Sequence, residues 1–405
     1  MKWLGVLCMS LMVSSPLWAA DFPGGTSSSA VDDEFEKGFG KSTGMQDEDH
    51  RMVEADRMKM GGYLQAEWMA YQLVDRPIQD YITSPMTLEM YIDAQMKNDV
   101  RAFFKGRFLN DGSVDESKPS PLTGGMQKQS TAYLDEMKIS FHTRRKIFWT
   151  IGRQKIKWGV SKFWNPTDFI NMQKRDFLRQ EDLRTGISMV KAHVPWNDAN
   201  FYVLGVTEAS SESNQNGLGG RFELPIQTSE WSVSAYSRKG QSTKLGSDIS
   251  FALKDFDVCM EGAQTDLGTE KAASGGFTYE VKYSDEDTVA LGLEGFWQEN
   301  GNSDKSSYGG LLASGKFIPF NVGKSYSSAS VVLLKPGSWN FSTLLFFAIQ
   351  NNDDRSQYYR ATWIYSGISD MLWTVALGSR AGDVGSEMKM FNQTYDAWLQ
   401  MRVIF

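Results

Sequence analysis

The sequence predicts an all-β fold, a transmembrane antiparallel up-and-down β-barrel of about eighteen strands. The first observation is the pattern of residues 394–405, where apolar and polar side chains alternate with the period of a β-strand. The apolar face consists of Tyr395, Ala397, Leu399, Met401, Val403 and Phe405. The other face carries Asp396, Gln400 and Arg402, so this strand suits a wall between lipid and water.

The second observation is that this alternation recurs along the chain from about residue 60. Nineteen candidate strands are separated alternately by short turns and by longer polar stretches. A barrel whose two ends lie on the same side of the membrane needs an even number of crossings. Glycines, which weaken strands, interrupt the candidate 308–317, so we assign it to a long loop at about 299–324. Eighteen strands result, with sixteen as the alternative.

The N-terminal residues are predicted to lie outside the barrel. Residues 1–20 have the plan of a secretory signal peptide, with Lys2, an apolar stretch and a small residue at Ala20. Residues 21–57 are acidic and poor in apolar side chains, which favours disorder. They form either a solvated periplasmic tail or a plug that enters the lumen. The barrel is assigned to residues 58–405.

Composition argues against several other classes of protein. The formal net charge of −7 argues against a nucleic-acid partner. Beyond the predicted signal peptide the sequence has one cysteine, Cys259, so no intrachain disulfide can form. None of the three histidines lies on a predicted outer loop, and the sequence has no metal-ligand spacing and no cofactor motif. We therefore predict no enzyme activity, no cofactor and no metal site.

The most distinctive sequence lies between residues 134 and 182. Leu134-Asp135-Glu136 precedes Gly152-Arg153-Gln154, and Trp158-Gly159 and Asn165-Pro166-Thr167-Asp168 follow. Over about fifty residues this pattern resembles Gram-negative outer-membrane barrels related to alginate-export channels. The strand closing on Phe405 resembles the signature that the barrel-assembly machinery recognises. The resemblance implies a porin-type barrel in the cell outer membrane.

The strand predicted at 146–158 carries Arg153, Lys155 and Lys157 on one side. A cation that faces hydrocarbon near the membrane midplane costs roughly 2–4 kcal/mol. We therefore expect these three side chains to face the lumen or to lie near its rim. Apolar Ile151 shares their parity, so either a bulge switches the faces or the apolar side chains are covered inside.

The next connection, 159–181, is the third outer loop of the predicted barrel. In general porins the third loop folds inward and narrows the pore, and the resemblance implies the same here. Its candidate constriction residues are Asp168, Lys174, Arg175, Asp176, Arg179 and Glu181. Opposed charges at a constriction select ions. The alternative is a solvated outer loop whose charges pair with each other.

The expected function is an outer-membrane channel for the diffusion of small hydrophilic solutes or ions. The alternative is a structural barrel that sheathes a protein partner or an exported polymer and has no free pore. The expected partners are outer-membrane lipid and lipopolysaccharide, the barrel-assembly machinery and small solutes. A homotrimer or a periplasmic partner is left open by the sequence.

Overall fold

The computed structural model describes residues 57–73, 81–96, 99–118, 126–171, 174–179, 182–208, 216–265, 270–284, 287–334, 342–390 and 393–405. The predicted signal peptide and residues 21–56 lie outside this part of the chain. The strands are β1 (Met58–Leu73), β2 (Tyr81–Thr83), β3 (Pro85–Met96), β4 (Val100–Asp111), β5 (Ser130–Thr143), β6 (Ile147–Gln154), β7 (Ile187–Trp196), β8 (Ala199–Val206), β9 (Gly217–Ile226), β10 (Ser229–Arg238), β11 (Lys244–Leu253), β12 (Phe256–Thr265), β13 (Glu270–Lys282), β14 (Thr288–Gln298), β15 (Ser325–Leu334), β16 (Ser342–Asn351), β17 (Gln357–Ile368), β18 (Met371–Ala381) and β19 (Gln393–Ile404). A short helix, α1 (Tyr308–Ala313), follows β14. Within the described ranges no helix has the length and apolar character needed to span a bilayer.

All strands belong to one antiparallel sheet that closes on itself. Neighbours along the chain pair with each other, and β19 pairs with β1. At the end of this ladder the N–H of Phe405 donates to the Gly62 carbonyl (3.0 Å), and the N–H of Gly62 donates back to Phe405 (2.9 Å). Closure removes the sheet edges, whose unpaired polar backbone groups are costly in lipid.

The wall has eighteen strand positions, so the predicted fold class is confirmed. β2 and β3 pair with β1 in one register across Ser84, and together they form one strand of the wall. The candidate 308–317 contains α1 and does not cross the wall, which confirms its assignment to a loop. The alternative of sixteen strands is therefore wrong. β14 and β15, the strands on either side of that loop in the sequence, pair directly with each other.

The two faces of the wall differ as the alternation predicts. On β19, Tyr395 and Leu399 are exposed on the outer face, whereas Asp396, Gln400 and Arg402 are buried on the inner face. The side chain of Gln400 is only 1 % exposed. The outer face is therefore apolar, while the inner face is polar and largely covered by other parts of the chain.

The two ends of the barrel are built differently. At one end tight turns join the strands, and residues such as Asp99, Asn197, Lys254 and Asp370 adopt positive φ there. Two-residue hairpins prefer this conformation because it matches the twist of the strands. The other end carries the longer connections, including 112–129, 155–186, 299–324 and 382–392. We call these ends the short-turn rim and the long-loop rim.

Candidate functional site

The candidate site is built by residues 155–186, the connection between β6 and β7, which we call the constriction loop. β6 ends at Gln154, four residues before the predicted end at 158, and β7 begins at Ile187 instead of residue 182. The side chain of Gln154 is fully buried and donates to the Thr150 carbonyl (3.2 Å). Lys155 and Lys157 therefore belong to the loop, and their prediction as strand residues is wrong.

Both ends of the constriction loop are fixed at one irregularity of β5. The register between β4 and β5 shifts so that Asp135 has no opposite residue on β4. The Asp135 carbonyl accepts the N–H of Gly186 (2.8 Å), and a carboxyl oxygen of Glu136 accepts the N–H of Lys155 (3.3 Å). Arg107 pairs with the Asp135 carboxyl (2.9 Å) and holds the irregularity in place. A bulge of this kind redirects the chain locally.

Two carboxyl groups of the opposite wall hold the middle of the loop. Glu261 of β12 accepts the N–H of Ser161 (2.9 Å) and the hydroxyl of Thr167 (2.5 Å). Glu294 of β14 accepts three successive backbone N–H groups, the last from Trp164 (2.9 Å). Both glutamates are buried. The loop therefore leaves the wall at β6, crosses the lumen and hydrogen-bonds to β12 and β14.

The returning half of the loop contacts a third part of the wall. Arg179 pairs with Glu67 of β1 at 2.9 Å, and its guanidinium lies 5.5 Å from the ring centre of Trp398. A cation over an indole ring is attracted by the ring quadrupole. Through these contacts the constriction loop runs across the interior of the barrel and divides it. The expectation that the third loop folds inward agrees with this geometry.

A cavity of about 860 Å³ lies between the constriction loop and the long-loop rim. Its floor is apolar and includes Phe169, Ile170 and Tyr236. Its charged lining residues are Asp168, Lys174, Arg184, Glu208, Arg238, Lys244, Glu270 and Lys271. Five cations and three carboxylates therefore surround the approach to the constriction loop. We call this space the outer cavity.

Arg153 does not face the lumen. It lies opposite Met137 and Ser188 in an uninterrupted register, and the neighbouring Ile151 is 41 % exposed on the outer face. Both explanations predicted for the shared parity of Arg153 and Ile151 are wrong. No bulge lies between the two residues, and the side chain of Ile151 is not inside the barrel. The cation is tolerated because it lies at the strand end and pairs with Glu208 at 2.6 Å.

Three of the predicted constriction residues are bound within the protein. Nζ of Lys155 donates to the backbone carbonyl of Asp182 (2.6 Å). Asp168 pairs with Arg184 (2.7 Å), and Arg179 binds β1 as described. These side chains stabilise the loop through partners that lie both within it and on the wall.

The remaining predicted residues are less constrained. Lys157, Lys174 and Asp176 are exposed, and Lys174 lines the outer cavity. The Asp176 carboxyl accepts the N–H of Leu178 (3.0 Å) and lies 3.9 Å from Arg179. Arg175 is half-buried and lines a narrow cleft between the constriction loop and residues 319–321. Glu181 lies outside the described residues.

The acid–base chemistry of the loop favours a fixed conformation. Asp182 binds the Arg184 guanidinium at 2.6 Å. Burial alone would raise the pKa of Asp182, but the hydrogen bonds and the charge of Arg184 outweigh it and lower this pKa to about 2. Asp182 is therefore ionised throughout the physiological pH range, and the pair persists.

The distinctive sequence motifs all serve this loop. Leu134-Asp135-Glu136 forms the anchoring bulge, and Gly152-Arg153-Gln154 ends the strand that precedes the loop. Trp158 is buried and packs against Phe169 with ring centres 6.4 Å apart. Asn165 donates to the Ser161 carbonyl (2.7 Å) and shapes the turn at its middle. The residues that carry the resemblance therefore position the constriction loop.

Sequence reasoning missed the anchors on the wall. Glu261 and Glu294 lie about 100 and 130 residues beyond the loop positions that they bind. Each is an acid on the inner face of a strand with a glycine beside it, Gly262 and Gly295. The strand period and the adjacent glycine indicate that each carboxyl points inward. They do not identify the loop backbone as its hydrogen-bond partner.

Comparisons with known proteins support the porin fold. No protein-family model matches the chain, and no curated protein matches it. Among solved structures, Acinetobacter baumannii OccAB1 is similar with a TM-score of 0.57 and 9 % identity, over 86 % of this chain and 97 % of that one. Pseudomonas aeruginosa OccK2 (OpdF), in complex with glucuronate, has a TM-score of 0.59 and 10 % identity over 86 % and 98 %. A BenF-like porin from Pseudomonas fluorescens Pf-5 has a TM-score of 0.55 and 10 % identity over 86 % and 98 %.

At these identities the similarity concerns the fold. The chain shares the closed β-barrel fold of these proteins, which confirms the barrel fold that the resemblance implies. The relationship to alginate-export channels is not shown by these comparisons and stays a prediction.

Proposed function

We propose that the protein is an outer-membrane channel through which small hydrophilic solutes or ions diffuse past the constriction loop. The observation that carries this proposal is a closed wall, apolar outside and polar inside, with a loop held across its lumen by wall carboxyls. A barrel of this strand number is wide enough for an aqueous path. The inward loop reduces that path and leaves the outer cavity in front of it.

The alternative of a sheath around a protein partner is not favoured. The interior is already crossed by the chain itself, from β6 to β12 and β14 and back to β1. A folded protein partner would have to displace these buried contacts. A small solute needs only the space beside the loop.

The proposed pore-lining residues are the exposed ones. Lys157 and Lys174 are exposed cations of the constriction loop, and Asp176 is an exposed acid. Lys155, Asp168, Arg175 and Arg179 are proposed to shape the constriction by holding the loop. Glu181 stays a predicted constriction residue.

The proposal includes the location and the assembly of the protein. The outward apolar residues would contact outer-membrane lipid and lipopolysaccharide, and the strand ending at Phe405 would be recognised by the barrel-assembly machinery. The oligomeric state, including a homotrimer, is a prediction that cross-linking in outer membranes would test.

Single-channel recording in planar bilayers tests the proposal directly. The purified protein should give steady ohmic current steps. A silent protein that inserts into the bilayer, as protease protection would verify, would contradict channel function. Liposome swelling should compare glucose with glucuronate, because the OccK2 structure contains glucuronate and the outer cavity carries an excess of cations.

The reversal potential under a salt gradient tests the pore-lining residues. Lys157→Glu with Lys174→Glu should shift it toward the value for cations, because two exposed positive charges become negative. Lys239→Glu, an exposed cation at the long-loop rim outside the cavity lining, is the matched control. Equal reversal potentials for the double variant and the control would remove these lysines from the pore.

A further inference from the structure

The short-turn rim of the barrel is divided by charge. The part between β1 and β6, which we call the basic arc, carries the described cations Arg57, Lys59, Arg101, Arg144, Arg145 and Lys146 and the acids Asp93 and Asp99. The part between β7 and β15 carries the described acids Asp198, Glu230, Asp255, Asp257, Glu280 and Asp287 and the cations Lys254 and Lys282. A surface of this asymmetry attracts an anionic partner to one side.

The turn between β5 and β6 is the most basic point of this arc. Arg144, Arg145 and Lys146 are consecutive and exposed. One nearby acid, Asp99 of the adjacent turn, lies 3.9 Å from Arg145 and 3.3 Å from His142. The positive charges at this turn therefore outnumber the neighbouring negative charges.

This turn also has an unfavourable backbone for its residues. Arg144 and Arg145 have φ of 53° and 55°, positions where hairpins prefer Asn-Gly or similar pairs. A bulky side chain in this region costs backbone energy. The turn nevertheless places two exposed arginines side by side.

An acidic segment of the sequence ends immediately before Arg57, a residue of the basic arc. Residues 21–56 contain ten acidic and three basic residues, including the run Asp47-Glu48-Asp49. The described chain starts at Arg57, whose carbonyl accepts the N–H of Gln95 (2.8 Å) next to the first turn of the rim. The acidic segment is thus attached at the basic end of the rim.

The distances allow direct contact. β1 is separated from the turn at 144–146 by β3, β4 and β5, so at about 4.8 Å per strand the two lie roughly 15–20 Å apart. Residues 47–49 precede Arg57 by about eight to ten positions and reach more than ~25 Å when extended. We propose that the acidic segment 21–56 binds the basic arc, with residues 47–49 on the turn formed by Arg144, Arg145 and Lys146. The segment then lies along one side of the channel mouth and neither floats in solution nor fills the lumen.

Distances between spin labels test this binding in the full mature chain with Cys259→Ser. One label at Gln46→Cys is paired with a label at Thr143→Cys beside the basic turn, or with one at Ser369→Cys. The Ser369 turn is the matched control, because only β19 and β18 separate it from β1 and its neighbour is acidic Asp370. We expect a short, narrow distance to residue 143 and a longer, broader one to residue 369.

Charge reversal distinguishes this contact from accidental proximity. The triple variant Asp47→Lys, Glu48→Lys, Asp49→Lys changes residues that precede β1 in the sequence. It should broaden the distance to residue 143, as should raised salt. Adding Arg144→Glu and Arg145→Glu should restore it, whereas Lys254→Glu on another tight turn should change nothing. Equal distances to the two turns, or a short distance that resists charge reversal, would overturn the proposal.

Discussion

The constriction loop and the loop at 299–324, which we call the helical loop, are two connections at the same rim that are held in different ways. The constriction loop depends on the wall, since Glu261, Glu294 and Glu67 bind it from three distant strands. The helical loop is held largely by hydrogen bonds between its own two ends and by contacts with adjacent segments. Within it the N–H of Asn302 donates to the Val322 carbonyl (2.8 Å), and Tyr308 of α1 is fully buried. The constriction loop is thus fixed by the wall, while the helical loop is stabilised by contacts of its own.

The two loops meet at one aromatic side chain. Trp164 of the constriction loop stacks on Phe296 with ring centres 5.6 Å apart, and its Nε1 donates to the Phe320 carbonyl of the helical loop (2.8 Å). Phe320 in turn packs against Phe177 of the constriction loop at 4.8 Å. Loosening one loop should therefore affect the other through this cluster.

The loops also differ in their response to pH. Asp182 stabilises the constriction loop through a pKa lowered to about 2, so its contribution is lost only as pH falls below the ordinary value of 3.8 toward 2. Glu387, which follows β18, is buried and accepts hydrogen bonds from Tyr326 and Asn351 beside the helical loop. Burial raises the pKa of Glu387 to about 7 in spite of these bonds. The contribution of Glu387 to stability is complete at pH values below its ordinary pKa of 4.5, and it is lost as the pH rises through 7.

Removing both wall anchors, Glu261→Gln with Glu294→Gln, should have the largest effect. An amide keeps one acceptor oxygen and turns an NH2 group toward the remaining donors, and each buried group left unpaired costs about 1–3 kcal/mol. We expect the constriction loop to leave its position and single-channel conductance to rise severalfold. Glu280→Gln, on the inner face of the intervening β13, is the matched control. Unchanged conductance in the double variant would show that these carboxyls do not hold the loop.

Trp164→Ala should loosen both loops together. Truncating a buried aromatic side chain costs about 3–5 kcal/mol, and here the loss falls on the contact between the loops. Hydrogen exchange should accelerate in residues 160–171 and also in 299–324. Trp297→Ala, at an outward position that is 44 % exposed, serves as the control. Acceleration confined to the constriction loop would mean that the two loops are independent.

Raising the pH from about 6 to about 8 should loosen only the region around the helical loop, because Glu387 must then ionise while buried. Hydrogen exchange, corrected for the intrinsic pH dependence, should accelerate in residues 299–324 and 382–390 and stay constant in the constriction loop. Glu387→Gln should abolish the difference. If the variant keeps the full pH response, another group controls these loops.

The ion pair between Lys305 and Asp383 should have the smallest effect. It joins the helical loop to the next connection at 2.9 Å, but both side chains are largely exposed. Exposed pairs contribute little because water and salt screen them. We expect Asp383→Asn to leave thermal stability and conductance unchanged. A clear drop in either would mean that this contact is coupled to the buried cluster.

The sequence predicted the wall well because each strand is a local pattern. Alternation on β19 identified the outward residues Tyr395 and Leu399 and the inward Gln400 and Arg402. The even number of crossings, together with the glycines of 308–317, resolved the strand count. Both arguments use only the period of a strand and the geometry of barrel closure. Neither argument requires the contacts between residues that are distant in the sequence.

The sequence could not predict which charges face the pore, because that depends on partners far along the chain. Arg153 shares the outer parity of Ile151 and is tolerated through Glu208, which follows another strand. Lys155 leaves the strand because the bulge at Asp135 redirects the loop from the neighbouring strand. The strand period gives the direction of Arg153, but its partner and the residue at which the strand ends depend on contacts far along the chain. The sequence by itself determined a barrel, and the resemblance implied an inward third loop. Only the closed wall decided where that loop is bound and which of its charges remain exposed.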